Sequence, residues 1–213
     1  MSHEPEKPPA ESKSHWEEVY NTRAPEAVSW YAPHLMTSLA YLKRTGMPHT
    51  AAIVDIGGGE STLVDDLLDD GYLDVSVLDL SAKALEVARA RLGARAAAVK
   101  WHEADVLTHA FEPESVDIWH DRAVFHFLTH ELDKQRYVSK VLNALRPGGY
   151  AIVGTFGPAG PTQCSGLPVA RYAPDDLHDE FGSRFRLIES RVDLHTTPWG
   201  SQQQFVYCFC RLE

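Results

Sequence analysis

Short apolar runs alternate with amphipathic stretches through the middle of the chain, and this alternation predicts a parallel α/β sheet. The runs "AAIVDI" at 51–56 and "DVSVLDL" at 74–80 have the length and composition of buried strands. After each run, apolar residues recur at helical spacing over 61–71 and 82–93, and Ser81 precedes the second stretch as an N-cap. Strands and helices in this order indicate a sheet with helices on both faces.

The same alternation continues to residue 156. The runs 96–106, 115–120 and 150–156 predict three further strands. Apolar residues at helical spacing predict a helix from about 131 to 145, and "RPGG" ends it before the next strand. The chain therefore contains at least five strands that are joined mostly by helices.

The last quarter of the chain has a different pattern. It is loop-like at first, and then two strand-like runs cover 185–195 and 202–213 with the turn sequence "TTPWGS" between them. This pattern predicts a terminal hairpin, in which at least one edge strand is antiparallel. Cys208 and Cys210 alternate with Phe209, so they share a face of the strand and are predicted core residues.

The N-terminal segment precedes the first strand and divides into two parts. Residues 1–12 are polar and proline-rich and are predicted to be a disordered tail. Residues 13–46 contain aromatic and leucine residues at helical spacing, which predicts a helical lid or appendage on the main domain, residues 47–213.

Composition and charge exclude several classes of protein. The 213 residues carry a formal net charge of −10, which disfavours a nucleic-acid partner because that affinity depends on cationic contacts. No apolar run approaches the ~20 residues that span a bilayer, so no membrane partner is expected. Three cysteines are too few and odd in number for a disulfide framework, which favours the cytoplasm as the compartment.

The stretch "VDIGGGES" at the end of the first strand carries the first candidate chemistry. Gly57, Gly58 and Gly59 allow a tight turn and a close approach of the backbone to a ligand at the carboxyl end of the sheet. The dinucleotide fingerprint requires a further glycine where this chain has Thr62. Asp55, just before the glycines, would repel a pyrophosphate and suits a cationic ligand.

Two further acids follow the next two strands. Asp79 lies 20 residues after Gly59, the spacing at which an acid accepts hydrogen bonds from ribose hydroxyls. Asp105 follows the third strand, where it can meet an adenine edge or start a turn. Three acids at successive strand ends describe a ribose-bearing ligand with positive charge and no phosphate, and S-adenosylmethionine fits this description.

These residues resemble the motifs of the class I S-adenosylmethionine-dependent methyltransferase family. The resemblance rests on "VDIGGGES", "VLDLS", "EADV", "VDIWHDRAVFHFL" and "LRPGGYAIVGTF", which occur in the family's order and spacing between Ala51 and Phe156. Many family members have a glycine where this chain has Ser61. One glycine turn alone would be weak evidence, whereas five ordered matches are specific.

The resemblance implies a Rossmann-like, doubly wound sheet of seven strands in the order 3-2-1-4-5-7-6, with strand 7 antiparallel. It also implies a methyltransferase that uses S-adenosylmethionine. In that pattern the glycine turn and Asp55 hold the methionine end of the cofactor, and Asp79 holds the ribose. Leu80 lies on an adenine face, and Asp105 and Val106 lie on the side of the adenine amino group.

The loop after the fourth strand concentrates histidines and charges. We predict that His120 and Asp121 contact the cofactor or the acceptor, and His120, Asp121, His126 and His195 are the candidates for a general base. Arg122, His126 and His130 are interpreted as surface or structural residues. The spacings in this loop do not form a recognised ligand set, so no metal site is predicted.

Some residues keep two interpretations. Trp16, Tyr20, Trp30 and Tyr31 either dock the N-terminal helices or form a lid over the cofactor, and of these Trp16 and Trp30 are expected to approach it. Cys164 follows the fifth strand near the expected acceptor pocket, as a reactive thiol or an incidental one.

The acceptor also keeps two interpretations. The chain is similar to compact bacterial methyltransferases of the thiol, thiopurine and tellurite type, and it is also similar to enzymes that methylate protein lysines. It lacks the acceptor motifs of the lysine enzymes after strand four, which favours a small-molecule acceptor. From other classes, a non-catalytic cofactor-binding module and an NAD-dependent oxidoreductase remain, and Asp55 and Thr62 count against the second.

Overall fold

The computed structural model describes residues 9–213, and its side chains from Ser12 onward. The predicted disordered tail, residues 1–12, falls mostly outside this part of the chain, and residues 9–12 form the first turn of a helix. The strands follow in chain order: β1 (Ala52–Ile56), β2 (Asp74–Asp79), β3 (Val99–Glu103), β4 (Val116–Arg122), β5 (Leu145–Phe156), β6 (Gln163–Cys164), β7 (Leu167–Pro168), β8 (Phe185–Thr196) and β9 (Gln202–Leu212).

Seven of these strands form one sheet in the order β3-β2-β1-β4-β5-β9-β8. The first five are parallel, and β9 pairs antiparallel with both β5 and β8. This arrangement confirms the predicted seven-stranded topology, with β8 and β9 as the predicted sixth and seventh strands. The short β6–β7 hairpin, which the sequence pattern did not reveal, forms a separate pair.

Six α-helices flank the sheet or precede it. They are α1 (Pro9–Thr22), α2 (Met36–Arg44), α3 (Leu63–Asp69), α4 (Ala82–Leu92), α5 (Glu131–Ala144) and α6 (Pro174–Phe181). The predicted cap of α4 is confirmed, because the Ser81 hydroxyl accepts a hydrogen bond from the Ala84 N–H at 3.1 Å. α6 was not predicted, although a proline and two acids in its first turn, Asp175 and Asp176, are a helix-start signal. No helix in the described part of the chain is long and apolar enough to cross a membrane.

Side chains on the two faces of the sheet enter two separate apolar clusters. Val54 and Ile56 of β1 pack in one cluster, and Ile53 of the same strand packs in the other. The alternation follows from the two-residue period of a strand. Cys208 and Cys210 share the first cluster while Phe209 lies in the second, which confirms the predicted orientation of that strand.

The N-terminal helix α1 is held against the sheet domain by a carboxylate. Glu17 accepts hydrogen bonds from the Ala82 N–H (2.6 Å), the Lys83 N–H (3.3 Å) and the Ser81 hydroxyl (3.1 Å). These donors are the unpaired groups at the start of α4, where a negative charge is stabilising. Glu17 therefore fixes α1 next to the carboxyl end of β2.

Candidate active site

A cavity of about 1080 Å³ opens at the carboxyl ends of the parallel strands. The ends of β1, β2 and β4 line it, and so do the segment after β3, the loop after β4, the start of α5, α1 and the β6–β7 hairpin. Ligand sites in open parallel sheets lie at this edge. The volume is enough for a nucleoside cofactor together with a second small molecule.

The glycine turn after β1 borders this cavity at Gly57, and two of its glycines are structurally required. Gly57 and Gly59 have φ angles of +65° and +39°, which favour glycine. A Cβ at Gly57 would lie 2.0 Å from Val124 Cγ2, and one at Gly59 would lie 2.9 Å from Asp79 Oδ2. A Cβ at Gly58 would lie 2.6 Å from an Asp55 carboxylate oxygen, so the turn packs closely against two of the three predicted acids.

Asp79 lies at the end of β2 and lines the cavity. Its carboxylate accepts a hydrogen bond from the Ser81 N–H at 2.8 Å, and the side chain is 6% exposed. Burial raises the pKa of Asp79 from 3.8 to about 7, against the opposing effect of hydrogen bonds from the Ser81 and Gly59 backbones. A buried carboxylate of this kind is stabilised by a ligand that donates hydrogen bonds to it.

The residues predicted for the adenine also line the cavity. Leu80, Asp105 and Val106 form part of its wall, together with Leu107. Asp105 additionally holds the turn after β3, because its carboxylate accepts a hydrogen bond from the Leu107 N–H at 2.8 Å. The two interpretations of Asp105 are thus compatible, since one oxygen organises the turn and the side chain still borders the cavity.

Asp55 and His120 form a buried polar pair beside the glycine turn. His120 Nδ1 donates to Asp55 Oδ1 at 2.7 Å, and His120 Nε2 shares a 2.8 Å hydrogen bond with the Ser38 hydroxyl. Both residues border a smaller cavity of about 50 Å³, which shares Tyr20 and Gly57 with the large one. Because both ring nitrogens are engaged, His120 can accept a proton only if one of these bonds breaks. The catalytic role of His120 remains a prediction.

Asp121 lies on the opposite face of β4 and is completely buried. Its carboxylate accepts hydrogen bonds from the Val124 N–H (2.9 Å), the Phe125 N–H (3.1 Å) and the Tyr137 hydroxyl. Burial raises its pKa to about 6. Asp121 is absent from the lining of the large cavity. These contacts favour a structural role for Asp121 in the loop after β4, and its predicted catalytic role stays a prediction without support from this geometry.

Aromatic side chains from the N-terminal segment cover the cavity. The Trp16 ring packs edge-on against Trp30 (6.0 Å between centroids) and Phe127 (5.2 Å), and it lies 6.0 Å from the Tyr20 ring. All four residues line the cavity. The side chains that dock the N-terminal segment thus also border the cavity, and the role of Trp16 and Trp30 as a lid stays a prediction.

Two residues that the sequence interpretation did not assign to the cofactor also border the site. The Tyr20 hydroxyl lies 3.2 Å from the Cβ position of Gly59. Glu60 lines the small cavity, and among the described residues neither of its buried carboxylate oxygens has a hydrogen-bond partner. Burial raises the pKa of Glu60 to about 7. The position of Glu60 inside the turn "GGGES" is the sequence feature from which its place at the site could have been predicted.

The opposite end of the cavity contains Arg122, Cys164, Leu167 and Pro168. Burial raises the pKa of the Cys164 thiol to about 11, so it is a neutral thiol at neutral pH and not a reactive thiolate. Arg122 was interpreted as a surface or structural residue, but it lines both cavities. His130 also borders the large cavity, at the start of α5.

The remaining histidines that were candidates for a base are held by the fold. His126 is completely buried, its Nδ1 accepts a hydrogen bond from the Phe156 N–H at 3.3 Å, and burial lowers its pKa to about 3. His195 Nε2 donates to the Ser29 carbonyl oxygen at 2.7 Å, and burial lowers its pKa too. Among the described residues, no three His, Cys, Asp or Glu side chains are grouped so that they could hold a metal ion.

Comparison with known proteins identifies the class. Residues 53–149 match the family model described as a methyltransferase domain. No curated protein matches the chain. The matched segment contains β1 to the start of β5, which carry the glycine turn and the acids at the strand ends.

Solved structures with the same fold cover nearly the whole chain. One was determined in work on the conversion of a disulfide bond into a thioacetal group during echinomycin biosynthesis, with 20% identity, a TM-score of 0.74 and coverage of 94% of this chain and 91% of that one. An Anabaena variabilis S-adenosylmethionine-dependent methyltransferase has 17% identity, a TM-score of 0.73 and coverage of 100% and 99%. Burkholderia thailandensis 1,6-didemethyltoxoflavin-N1-methyltransferase, solved with its substrate and S-adenosylhomocysteine, has 16% identity, a TM-score of 0.69 and coverage of 99% and 93%. At these identities the likeness concerns the fold.

The residues at the cavity fit S-adenosylmethionine. The glycine turn leaves no space for a Cβ, burial raises the pKa values of Asp79 and Glu60, and the Glu60 carboxylate lacks a donor among the described residues. A ligand with ribose hydroxyls and positive charge supplies what these acids lack. The family match over residues 53–149 and the sheet order support the assignment of the chain as a class I S-adenosylmethionine-dependent methyltransferase. It is thus an enzyme, and its cofactor is S-adenosylmethionine.

Proposed function

We propose that this enzyme methylates a small nucleophilic molecule rather than a protein or a nucleic acid. The observation that carries the proposal is the apolar and aromatic lining of the cavity, to which Trp16, Trp30, Phe127 and Leu167 contribute. A chamber walled by aromatic side chains fits a small acceptor. The formal charge of −10 counts against nucleic acid as an acceptor.

We further propose how the cofactor is held. Asp79 accepts hydrogen bonds from the ribose hydroxyls, and Asp105 lies beside the adenine, between Leu80 and Val106. Asp55 and the turn Gly57–Gly59 border the amino-acid end, where Glu60 and Tyr20 add polar contacts. Trp16 and Trp30 close the cavity from above. The support for these roles is the lining of the two cavities together with the burial of the acids.

The bound cofactor supplies an electrophilic methyl group on a sulfonium. The protein's task is alignment, since the bond from the acceptor to the methyl carbon forms as the carbon–sulfur bond breaks and its electron pair goes to sulfur. A protonated acceptor such as a thiol releases its proton to solvent. The three histidines considered as bases, His120, His126 and His195, are each held by hydrogen bonds. We therefore propose that the acceptor reacts without a side-chain base.

The covering aromatic side chains contribute by excluding water from the transfer. Trp16 and Trp30 are positioned by α1 and the following segment, and α1 is held by Glu17. We also propose the cytoplasm as the compartment, because Cys164, Cys208 and Cys210 are all free thiols.

Transfer of a labelled methyl group tests the proposed acceptor class. The enzyme and labelled S-adenosylmethionine are incubated with two fractions of a cell extract, the small molecules and the proteins, and the Asp79→Ala variant serves as the blank. We expect label in the small-molecule fraction with the wild-type enzyme only. Label that appears only in protein would show that the acceptor is a protein.

A further inference from the structure

Arg122 is an arginine without a carboxylate partner at the acceptor end of the cavity. Its Nη1 donates to the Trp30 carbonyl oxygen at 3.0 Å, and its guanidinium carbon lies 4.5 Å from the centre of the Phe205 ring. Within residues 12–213, no Asp or Glu lies at ion-pair distance from it. By contrast, Arg91 and Arg146 pair with Asp65 and Asp117. Arg122 is thus held in place by its neighbours without an ion-pair partner among residues 12–213.

The charges along the cavity are separated by sign. Asp79 and Asp105 lie at the nucleoside end. Asp133 and Arg136 lie on α5 and form an ion pair with each other. The same helix contacts the loop after β3, because the Lys140 ammonium donates a hydrogen bond to the His109 carbonyl oxygen. These charges therefore belong to the nucleoside end as well.

Asp55 and Glu60 share the small cavity with Arg122, whereas the groups near it on the side of the large cavity are neutral at physiological pH. The nearby Arg122 charge and burial both affect His126 and His195, whose pKa values are lowered, and Cys164 is a neutral thiol. The aromatic and aliphatic residues that share this end carry no charge. A positive charge that lines a cavity and lacks an ion-pair partner is stabilised by an anionic ligand.

We propose that the acceptor carries an anionic group, a carboxylate or a group of similar chemistry, that Arg122 binds. This inference rests on the proposed small-molecule function and adds the chemical class of the acceptor. Arg122 ends β4, so an anion bound there places the rest of the acceptor between Trp30 and the hairpin that carries Cys164 and Leu167. Arg122 is accordingly a specificity residue that orients the acceptor's nucleophilic atom.

A matched pair of probe acceptors tests the proposal. The probes are 4-mercaptobenzoate and 4-mercaptobenzamide, two thiols of nearly equal size of which only the first is anionic at its para group. The rate of labelled-methyl transfer gives kcat/KM for each probe with the wild-type enzyme and with Arg122→Gln, Arg122→Lys and, as a control far from the cavity, Arg186→Gln. The intrinsic reactivity of each thiol is the same for all variants, so the carboxylate-to-amide ratio isolates the role of residue 122.

We expect the wild-type enzyme and Arg186→Gln to prefer the carboxylate, and Arg122→Gln to lower that ratio about 10- to 100-fold, as expected for a charge-assisted hydrogen bond. Arg122→Lys should retain part of the preference because it keeps the charge. In Arg122→Gln the rate with the amide should fall less than the rate with the carboxylate.

Three results would overturn the inference. The first is equal use of the two probes by the wild-type enzyme, or use of neither. The second is an unchanged ratio in Arg122→Gln. The third is a loss of affinity for S-adenosylhomocysteine in Arg122→Gln without a loss for 5′-methylthioadenosine, which would assign the guanidinium to the cofactor's own carboxylate. Label found only in protein would instead overturn the proposed function itself.

Discussion

The two ends of the cavity are built in different ways. At the nucleoside end, the residues predicted to hold the ribose and the adenine lie at or just after the ends of adjacent parallel strands, as Asp79 and Leu80 do. At the acceptor end, the lining comes from α1, the segment around Trp30, the end of β4 and the β6–β7 hairpin. The nucleoside end is therefore local in sequence, whereas the acceptor end depends on tertiary packing.

This difference explains how the two ends can vary independently. Strand ends meet at one edge of the sheet whatever packs above them. The cover, which consists of α1 and the segment around Trp30, is by contrast attached through side-chain contacts, among them the hydrogen bonds of Glu17 and the rings of Trp16 and Trp30. A methyltransferase of this fold can thus keep its cofactor site while the segments above it define the acceptor.

Removal of the Asp79 carboxylate should produce the largest effect at the nucleoside end. Asp79→Ala loses two charge-assisted hydrogen bonds to the ribose, and we expect the affinity for S-adenosylhomocysteine to fall about 100- to 1000-fold in calorimetric titration. Asp69→Ala, at an exposed position on α3, serves as the control. An unchanged affinity in Asp79→Ala would show that the ribose lies elsewhere.

A methyl group at Gly57 should disturb the cavity where the glycine turn contacts Val124 in the loop after β4. Gly57→Ala adds a Cβ 2.0 Å from Val124 Cγ2 at a φ of +65°, so we expect lower thermal stability and weaker cofactor binding. Gly46→Ala is a matched control, because Gly46 has the same φ of +65° and no atom within 4 Å of its Cβ position. The control should lose only the left-handed backbone cost, about 1–2 kcal/mol.

The double variant Gly57→Ala/Val124→Ala sharpens this prediction. It should recover part of the stability that Gly57→Ala loses beyond Gly46→Ala, since the overlap is relieved. Equal melting temperatures for Gly57→Ala and Gly46→Ala would contradict the close contact.

Cofactor binding should depend on pH through Asp79. Burial raises its pKa from 3.8 to about 7 in the free protein, so the carboxyl group is half protonated near neutral pH. Ribose hydroxyls donate to the ionised form, and the affinity should therefore fall as the pH drops below about 7, by up to about tenfold per pH unit. Ionisation of this buried acid costs stability, so its contribution to the free protein's stability should decrease as the pH rises from 3.8 to about 7.

Neighbouring acids require a control in this titration. Asp55, Glu17 and Glu60 face Asp79, and the pKa of Glu60 is also raised to about 7. We expect the pH dependence to persist in Glu60→Gln and to be lost in Asp79→Asn. If it persists in Asp79→Asn, a group other than Asp79 controls binding.

Loosening the contact between α1 and the start of α4 should have the smallest effect on the nucleoside end. Glu17→Gln removes the charge that caps α4, which we expect to cost about 0.5–2 kcal/mol of stability. Proteolysis within α1 should become faster, while the affinity for adenosine should change less than threefold, an order-of-magnitude expectation for a surface contact. Unchanged proteolysis would show that α1 is held by its aromatic contacts instead. Glu18→Gln, one position along the helix, is the matched control.

How well each part of the site could be predicted from the sequence also differs between the two ends of the cavity. Asp79, Asp105 and the glycine turn were assigned from spacing, because a parallel strand places its last residues at a known edge. The sheet order was inferred from the resemblance, and the structure confirms it. α6 and the β6–β7 hairpin were missed because short elements among prolines and glycines leave little periodicity.

His120 and Asp121 show why adjacent positions in a strand are hard to assign. Successive side chains point to opposite faces, so two neighbours in β4 do not face the same ligand. The sequence does not indicate which hydrogen-bond partners lie on each face of β4. Asp55 and Ser38 lie on one face, and Tyr137 lies on the other. Arg122 was undervalued for a related reason, since its surroundings come from segments distant in sequence.

A crystal structure of the enzyme with S-adenosylhomocysteine tests the central claim most directly. We predict the ribose hydroxyls within about 3 Å of the Asp79 carboxylate, the adenine beside Leu80 and Val106, and the sulfur directed toward Arg122 and Trp30. A nucleoside bound at the Arg122 end, away from Asp79, would contradict the assignment of the two ends.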